Sequence, residues 1–148
     1  MNSIFNSPFE LSLRILILMK IKKSRVTVDW LSCLDFVTTY GKDFAVSEFN
    51  LHGDNDYRFS EYAAKRDVIG IAIKELVLQG FVNPHCNKSG FNYSITPSGI
   101  KLCEVLNDDY AENYEKIAEK AISYFADYTE RKLMNCINQK AILALGGK

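Results

Sequence analysis

The chain has 148 residues, of which 47% are hydrophobic, and its 18 basic and 18 acidic side chains cancel to a formal net charge of 0. This length suits one domain, or one domain with an extension, and the composition excludes intrinsic disorder. The charge balance disfavours a protein that lives by gripping phosphate backbones, because such chains carry a visible positive excess.

Ser7-Pro8-Phe9-Glu10 sets a hydroxyl, a proline and a carboxylate at the positions of a capping box, so a helix is predicted from Pro8 to about Ile21. That segment is apolar nearly all round, through Leu11, Leu13, Ile15, Leu16, Ile17, Leu18 and Met19, which predicts a central helix or one in an interface. Its longest apolar stretch is far short of the roughly 20 residues that span a bilayer. Thr27 caps a second helix carrying Asp29, Trp30, Leu34 and Val37 and ending at Gly41. Residues 42–59 mix polar and aromatic types around Gly53, Asp54, Asn55 and Asp56, and read as a structured loop pinned by its aromatics.

From Ser60 a third helix is predicted, with Ala64, Val68, Ile71, Leu76 and Leu78 along a mostly buried stripe and Gly80 as its stop. Phe81 and Val82 open a strand, Asn87-Lys88-Ser89-Gly90 turns it, and Phe91, Tyr93 and Ile95 return as the second strand of a hairpin. Thr96-Pro97 then caps a helix through Ile100, Leu102, Val105 and Leu106. The last segment, with Tyr114, Ile117, Ala121, Phe125, Tyr128, Leu133, Ile137 and Ala141 at helical spacing, predicts one long helix with part of its stripe left for another chain. The fold class is therefore mainly α with a small β-hairpin: a winged helix-turn-helix domain over residues 1–106 and a C-terminal helical extension over residues 107–148. The run from Ile73 to Val82 and then Tyr93 to Gly99 resembles the wing region of the multiple-antibiotic-resistance repressors, which speaks for a fold more than for a function.

Catalytic machinery is not visible. No Gly-rich phosphate loop, H-E-x-x-H or G-x-S-x-G motif occurs, and His52 and His85 lie outside metal-ligand spacing with the scattered Cys33, Cys86, Cys103 and Cys136. No enzyme activity, cofactor or metal is expected, and cysteines without C-x-x-C pairing, with no leader signal, predict reduced thiols and a cytoplasmic location. His85 and Cys86 are neighbours on a strand and point to opposite faces. Asp35, flanked by apolar residues, calls for an arginine partner or for water. Residues 60–90 carry four bases (Lys65, Arg66, Lys74, Lys88) against three acids (Glu61, Asp67, Glu75), a small surplus for a DNA-reading helix and wing. Lys20, Lys22, Lys23 and Arg25 cluster where the first helix ends, and read either as a dipole-matched helix end or as a phosphate-backbone contact.

Several segments taken in order resemble the small middle component of bacterial ABC-type three-component systems, the group that includes the small subunit of Lamassu antiphage defence. These are Asn6 to Leu11, Leu34-Asp35-Phe36, Leu51-His52, Tyr57-Arg58-x-x-Glu61 with Lys65-Arg66, and Leu76 to Val82 followed by the wing. Gly53 and Asp56 stand where that pattern tends to have prolines. The resemblance implies an accessory subunit bridging a dimeric coiled-coil ATPase, similar to structural-maintenance-of-chromosomes proteins, and a nuclease-like effector, in a complex that senses foreign DNA. It makes His52, Tyr57, Arg58, Glu61, Lys65 and Arg66 candidates for a partner interface, or for an internal ion-pair lattice bracing the loop that makes it. An alternative from another class is a dimeric winged-helix repressor that binds a palindrome alone.

Overall fold

The computed structural model describes residues 8–88 and 90–146, so the Ser7 cap and the Ser89 turn position lie outside the described residues. α1 (Pro8–Lys22) is the axis of the fold, with Leu11 and every residue from Leu13 to Met19 buried. Its apolar circumference is covered by α2 (Val28–Thr39), α3 (Arg58–Leu78), α4 (Pro97–Val105), α5 (Asp109–Tyr124) and the second strand of the hairpin. This is the central position that an all-round apolar helix requires.

Local signals set the element ends. Thr27 accepts a hydrogen bond from the Trp30 N–H at 3.0 Å at the start of α2, and Asp108 accepts one from the Ala111 N–H at 2.8 Å at the start of α5. Gly80, at φ +85°, turns α3 into β1 (Val82–Asn87), which pairs antiparallel with β2 (Gly90–Ile95) in the register Val82↔Ile95 to Asn87↔Gly90. Thr96 accepts from the Gly99 N–H at 3.1 Å and donates to the Gly80 carbonyl at 2.8 Å, tying the start of α4 to the end of α3. A Cβ on Gly99 would sit 2.4 Å from the Phe81 carbonyl oxygen, so only glycine lets that turn close. Val26 adds an isolated antiparallel bridge to Tyr93 at the base of the hairpin.

Three expectations are corrected. The C-terminal segment is not one long helix: α5 ends at Tyr124, and α6 (Glu130–Gly146) starts after a break and packs on α2. The break has a local cause in Thr129, whose hydroxyl accepts from the Lys132 N–H at 3.1 Å, followed by Glu130 in the first turn. Leu133 and Ile137 are thereby buried in the same core as α1, so that part of the stripe is satisfied within the chain. The α3 stripe is also not buried as predicted. Only Leu76 of the expected five is, whereas Ala64 is exposed, and Val68, Ile71 and Leu78 are exposed at 48%, 63% and 81%. The core side of α3 is instead Phe59, Ile69, Ala72, Ile73 and Leu76. Finally, residues 42–59 are pinned by only some of their aromatics: Phe44 and Phe59 are buried, whereas Phe49 is 53% and Tyr57 75% exposed. Phe44 sits with Tyr40, Phe59 and Tyr62 around Phe36, at ring-centroid distances of 5.1–5.8 Å.

Candidate functional site

A polar lattice runs through the middle of this helical core. The Arg14 side chain, fully buried on α1, donates through Nε and Nη2 to the two carboxylate oxygens of Asp35 on α2, at 2.8 and 3.1 Å. Tyr114 of α5 donates its hydroxyl to the same carboxylate at 2.7 Å. Burial pushes the Asp35 carboxyl up, and the guanidinium overrides it and holds the acid ionised with a pKa of about 2. An ion pair with this geometry is firmly held, because losing either partner strands a charge away from water.

The lattice extends into the loop. His52 shares a 2.7 Å hydrogen bond with the Tyr110 hydroxyl and stacks on its ring at 6.0 Å, while the His52 backbone N–H donates to the Thr39 carbonyl at 3.2 Å. Burial, and then the nearby Arg14 charge, lower the His52 pKa to about 3, so the ring is neutral at ordinary pH. The loop is further clamped by Arg58, which donates from Nε and Nη2 to Asp43 at 2.6 and 3.1 Å, and from Nη1 to the Asn55 carbonyl at 3.0 Å. Glu61 accepts from the Tyr40 hydroxyl at 3.3 Å and from the Asn55 amide, and lies 3.9 Å from the Lys65 ammonium one helical turn on. Burial lowers the Lys65 pKa, an effect that Asp35 opposes.

Thus His52, Arg58, Glu61 and Lys65 are brought together by bonds that fasten the loop onto α2, α3 and α5. Tyr57 projects into solvent, and Arg66 forms a surface ion pair with Asp29 at the start of α2. The basic cluster divides in the same way. Lys20 pairs with Glu115 at 3.5 Å and Lys22 lies over the Trp30 ring at 5.6 Å, while Lys23 and Arg25 are exposed and make no ion pair among the described residues. They flank the turn that leads into Val26, beside the base of the hairpin.

Sequence reading passed over Arg14 and Tyr110, and took Tyr114 only as part of an apolar stripe. The signal for Arg14 was present: a single base inside the apolar run of α1 needs a buried acid, and Asp35 was the acid in need of a base. The same reading missed an open face. Leu13 and Leu16 of α1, Ile71 and Leu76 of α3, Leu102 of α4 and Leu106 just past its end line an apolar groove of about 620 Å³. Among its lining residues Glu75 is the one charged side chain. No ligand chemistry converges there, and among the described residues no group of His, Cys, Asp and Glu is arranged to hold a metal ion. No helix among them is long and apolar enough to cross a membrane.

In comparisons with known proteins, residues 4–145 match the family model described as ABC-three component (ABC-3C) system Middle Component 2. No curated protein and no solved structure matches the chain.

Proposed function

The chain belongs to the Middle Component 2 family of ABC-three component systems, and on that premise we propose that it is a non-catalytic, cytoplasmic accessory subunit of an antiphage defence complex of the Lamassu kind. In this reading it bridges a coiled-coil ATPase of the structural-maintenance-of-chromosomes type and a nuclease-like effector. The observation that carries the proposal is how the polar side chains are used. Arg14, Asp35, His52, Arg58, Glu61 and Lys65 are engaged with one another or with the loop. Large apolar side chains, by contrast, stand in solvent on α3. Catalysis needs the first kind of group free, and assembly needs the second kind exposed.

The order helix, hairpin, helix over residues 58–105, with Val26 bridging to Tyr93, supports a winged-helix reading. Docking suits this wing better than operator binding, because the chain is neutral and the exposed stripe of α3, where a recognition helix would present bases, is largely aliphatic. Of the six candidate interface residues, Tyr57 and Arg66 are the most exposed, while the other four take part in bracing the loop that carries Tyr57. DNA contact is secondary and falls to Lys23 and Arg25, with Lys22 beside them.

Co-expression with the other two components of the same system tests this reading. A complex that survives gel filtration with both components is expected. A stable symmetric dimer of this chain alone, shifting a palindromic DNA fragment at physiological salt, would favour the repressor alternative and overturn the proposal.

A further inference from the structure

Five of the exposed residues of α3 have a regular spacing. Ala64, Val68, Ile71, Glu75 and Leu78 follow one another at steps of four, three, four and three, which is the heptad alternation of a coiled-coil seam. All five are exposed, on the helix side opposite Ile69 and Ile73, which are fully buried. The seam is about 21 Å long at 1.5 Å per residue. Beside it, α1 and α4 form walls carrying Phe9 and Leu102, and past Leu11 and Val68 lies a hollow of about 210 Å³ next to Ala64, closed by the mutually paired Glu61 and Lys65. A straight apolar strip of this length matches a helix rather than a compact ligand.

Charge decides whose helix. Glu75 interrupts the seam and has no side-chain hydrogen bond or ion pair among the described residues. Two copies meeting in parallel along this seam would set Glu75 against Glu75, and two copies meeting antiparallel would bury each carboxylate against the other's aliphatic seam residues. Both arrangements desolvate acids without a cation. We propose that the α3 seam docks a helix of another component of the complex, with apolar residues at heptad spacing and a lysine or arginine placed to meet Glu75. A single polar pair inside an apolar seam fixes register, so Glu75 sets which stretch of the partner helix is seated.

The proposal rests on the accessory-subunit reading, and the test separates the two. The full chain is co-expressed with the other two components as wild type, I71D, V68D and E75K, and binding and melting temperature are measured for each. I71D and V68D are expected to weaken binding by about tenfold or more, as a charge in the centre of an interface does, while the free chain keeps its melting temperature because both positions are exposed. E75K is expected to weaken binding and to be rescued by replacing the partner-helix lysine or arginine that meets Glu75 with glutamate. Wild-type affinity in all three variants, with a complex still formed, would overturn the seam and leave the accessory reading standing. Failure of the wild-type chain to bind either component overturns both. A homodimer of the free chain that I71D converts to monomer would also contradict the seam's assignment.

Discussion

Where α1, α2 and α5 meet, the protein encloses an arginine at 0% exposure, an aspartate at 1% and a tyrosine at 0%; in the groove lined by α1, α3 and α4 it leaves Val68 and Ile71 at 48% and 63% in water. Each arrangement inverts the usual distribution of polar and apolar residues. The enclosed charges are satisfied by one another, through bonds from Arg14 and Tyr114 to a single carboxylate, so that region is complete without help. The aliphatic seam keeps Val68, Ile71 and Leu78 exposed among the described residues, and an apolar surface of this kind is the sort that a partner covers. In the proposed reading, architecture resides in the first region and assembly in the second.

Substitutions can break this contrast, beginning with the largest effect. Arg14→Met should destabilise the fold by about 3–5 kcal/mol in urea unfolding, since it strands the Asp35 charge. The double variant Arg14→Met with Asp35→Leu should recover most of that loss, because no charge is then left buried. A double variant no better than the single one would mean that the lattice contributes more than mutual neutralisation.

The second effect depends on pH. The folded pKa of His52 is lowered to about 3, below the ordinary value of about 6.5, so its contribution to stability is complete above about pH 6.5. It is lost as pH falls toward 3, because the unfolded chain takes up a proton that the folded ring refuses. Thermal melts should show stability falling by up to about 1.4 kcal/mol per pH unit through that window. His52→Gln should flatten the slope. Asp35, whose folded pKa is depressed, acts lower down: its contribution is present above about pH 4 and is lost as pH falls through about 2.

Smaller still is Arg66→Ala. Its ion pair with Asp29 is largely exposed, so unfolding free energy should change by less than about 1 kcal/mol. The smallest stability effect belongs to Ile71→Asp, within about 0.5 kcal/mol for the free chain, although the same change should impair assembly most. A large loss of stability in Ile71→Asp would erase the distinction between the two regions.

Much of the architecture was legible in the residues. Thr27, Gly80 and Thr96-Pro97 marked ends of α2, α3 and α4 through short-range hydrogen bonds that depend on few neighbours. The hairpin followed from alternation around a turn, and the all-round apolar α1 pointed to a central place. What escaped depended on tertiary context. Thr129-Glu130 carries a helix-start signature, but continuous helical spacing from Tyr114 to Ala141 masked it. On α3, two apolar stripes share one helix, and spacing alone cannot say which meets the core; Ile69 and Ile73 do, whereas Ile71 does not. For the candidate site, the sequence singled out Arg58, Glu61 and Arg66 as interface or bracing residues without naming the partners of the two arginines. Arg58 finds Asp43 and Arg66 finds Asp29, pairings that long-range folding determines and no local pattern encodes.

Hydroxyl-radical footprinting of the chain, free and in its purified complex, tests the central claim most directly, because it reads side-chain exposure one residue at a time. The account predicts that Val68, Ile71 and Leu78 react in the free chain and lose most of that reactivity in the complex, while Tyr114 is unreactive in both. A stoichiometric complex in which the three seam residues stay as reactive as in the free chain would contradict it.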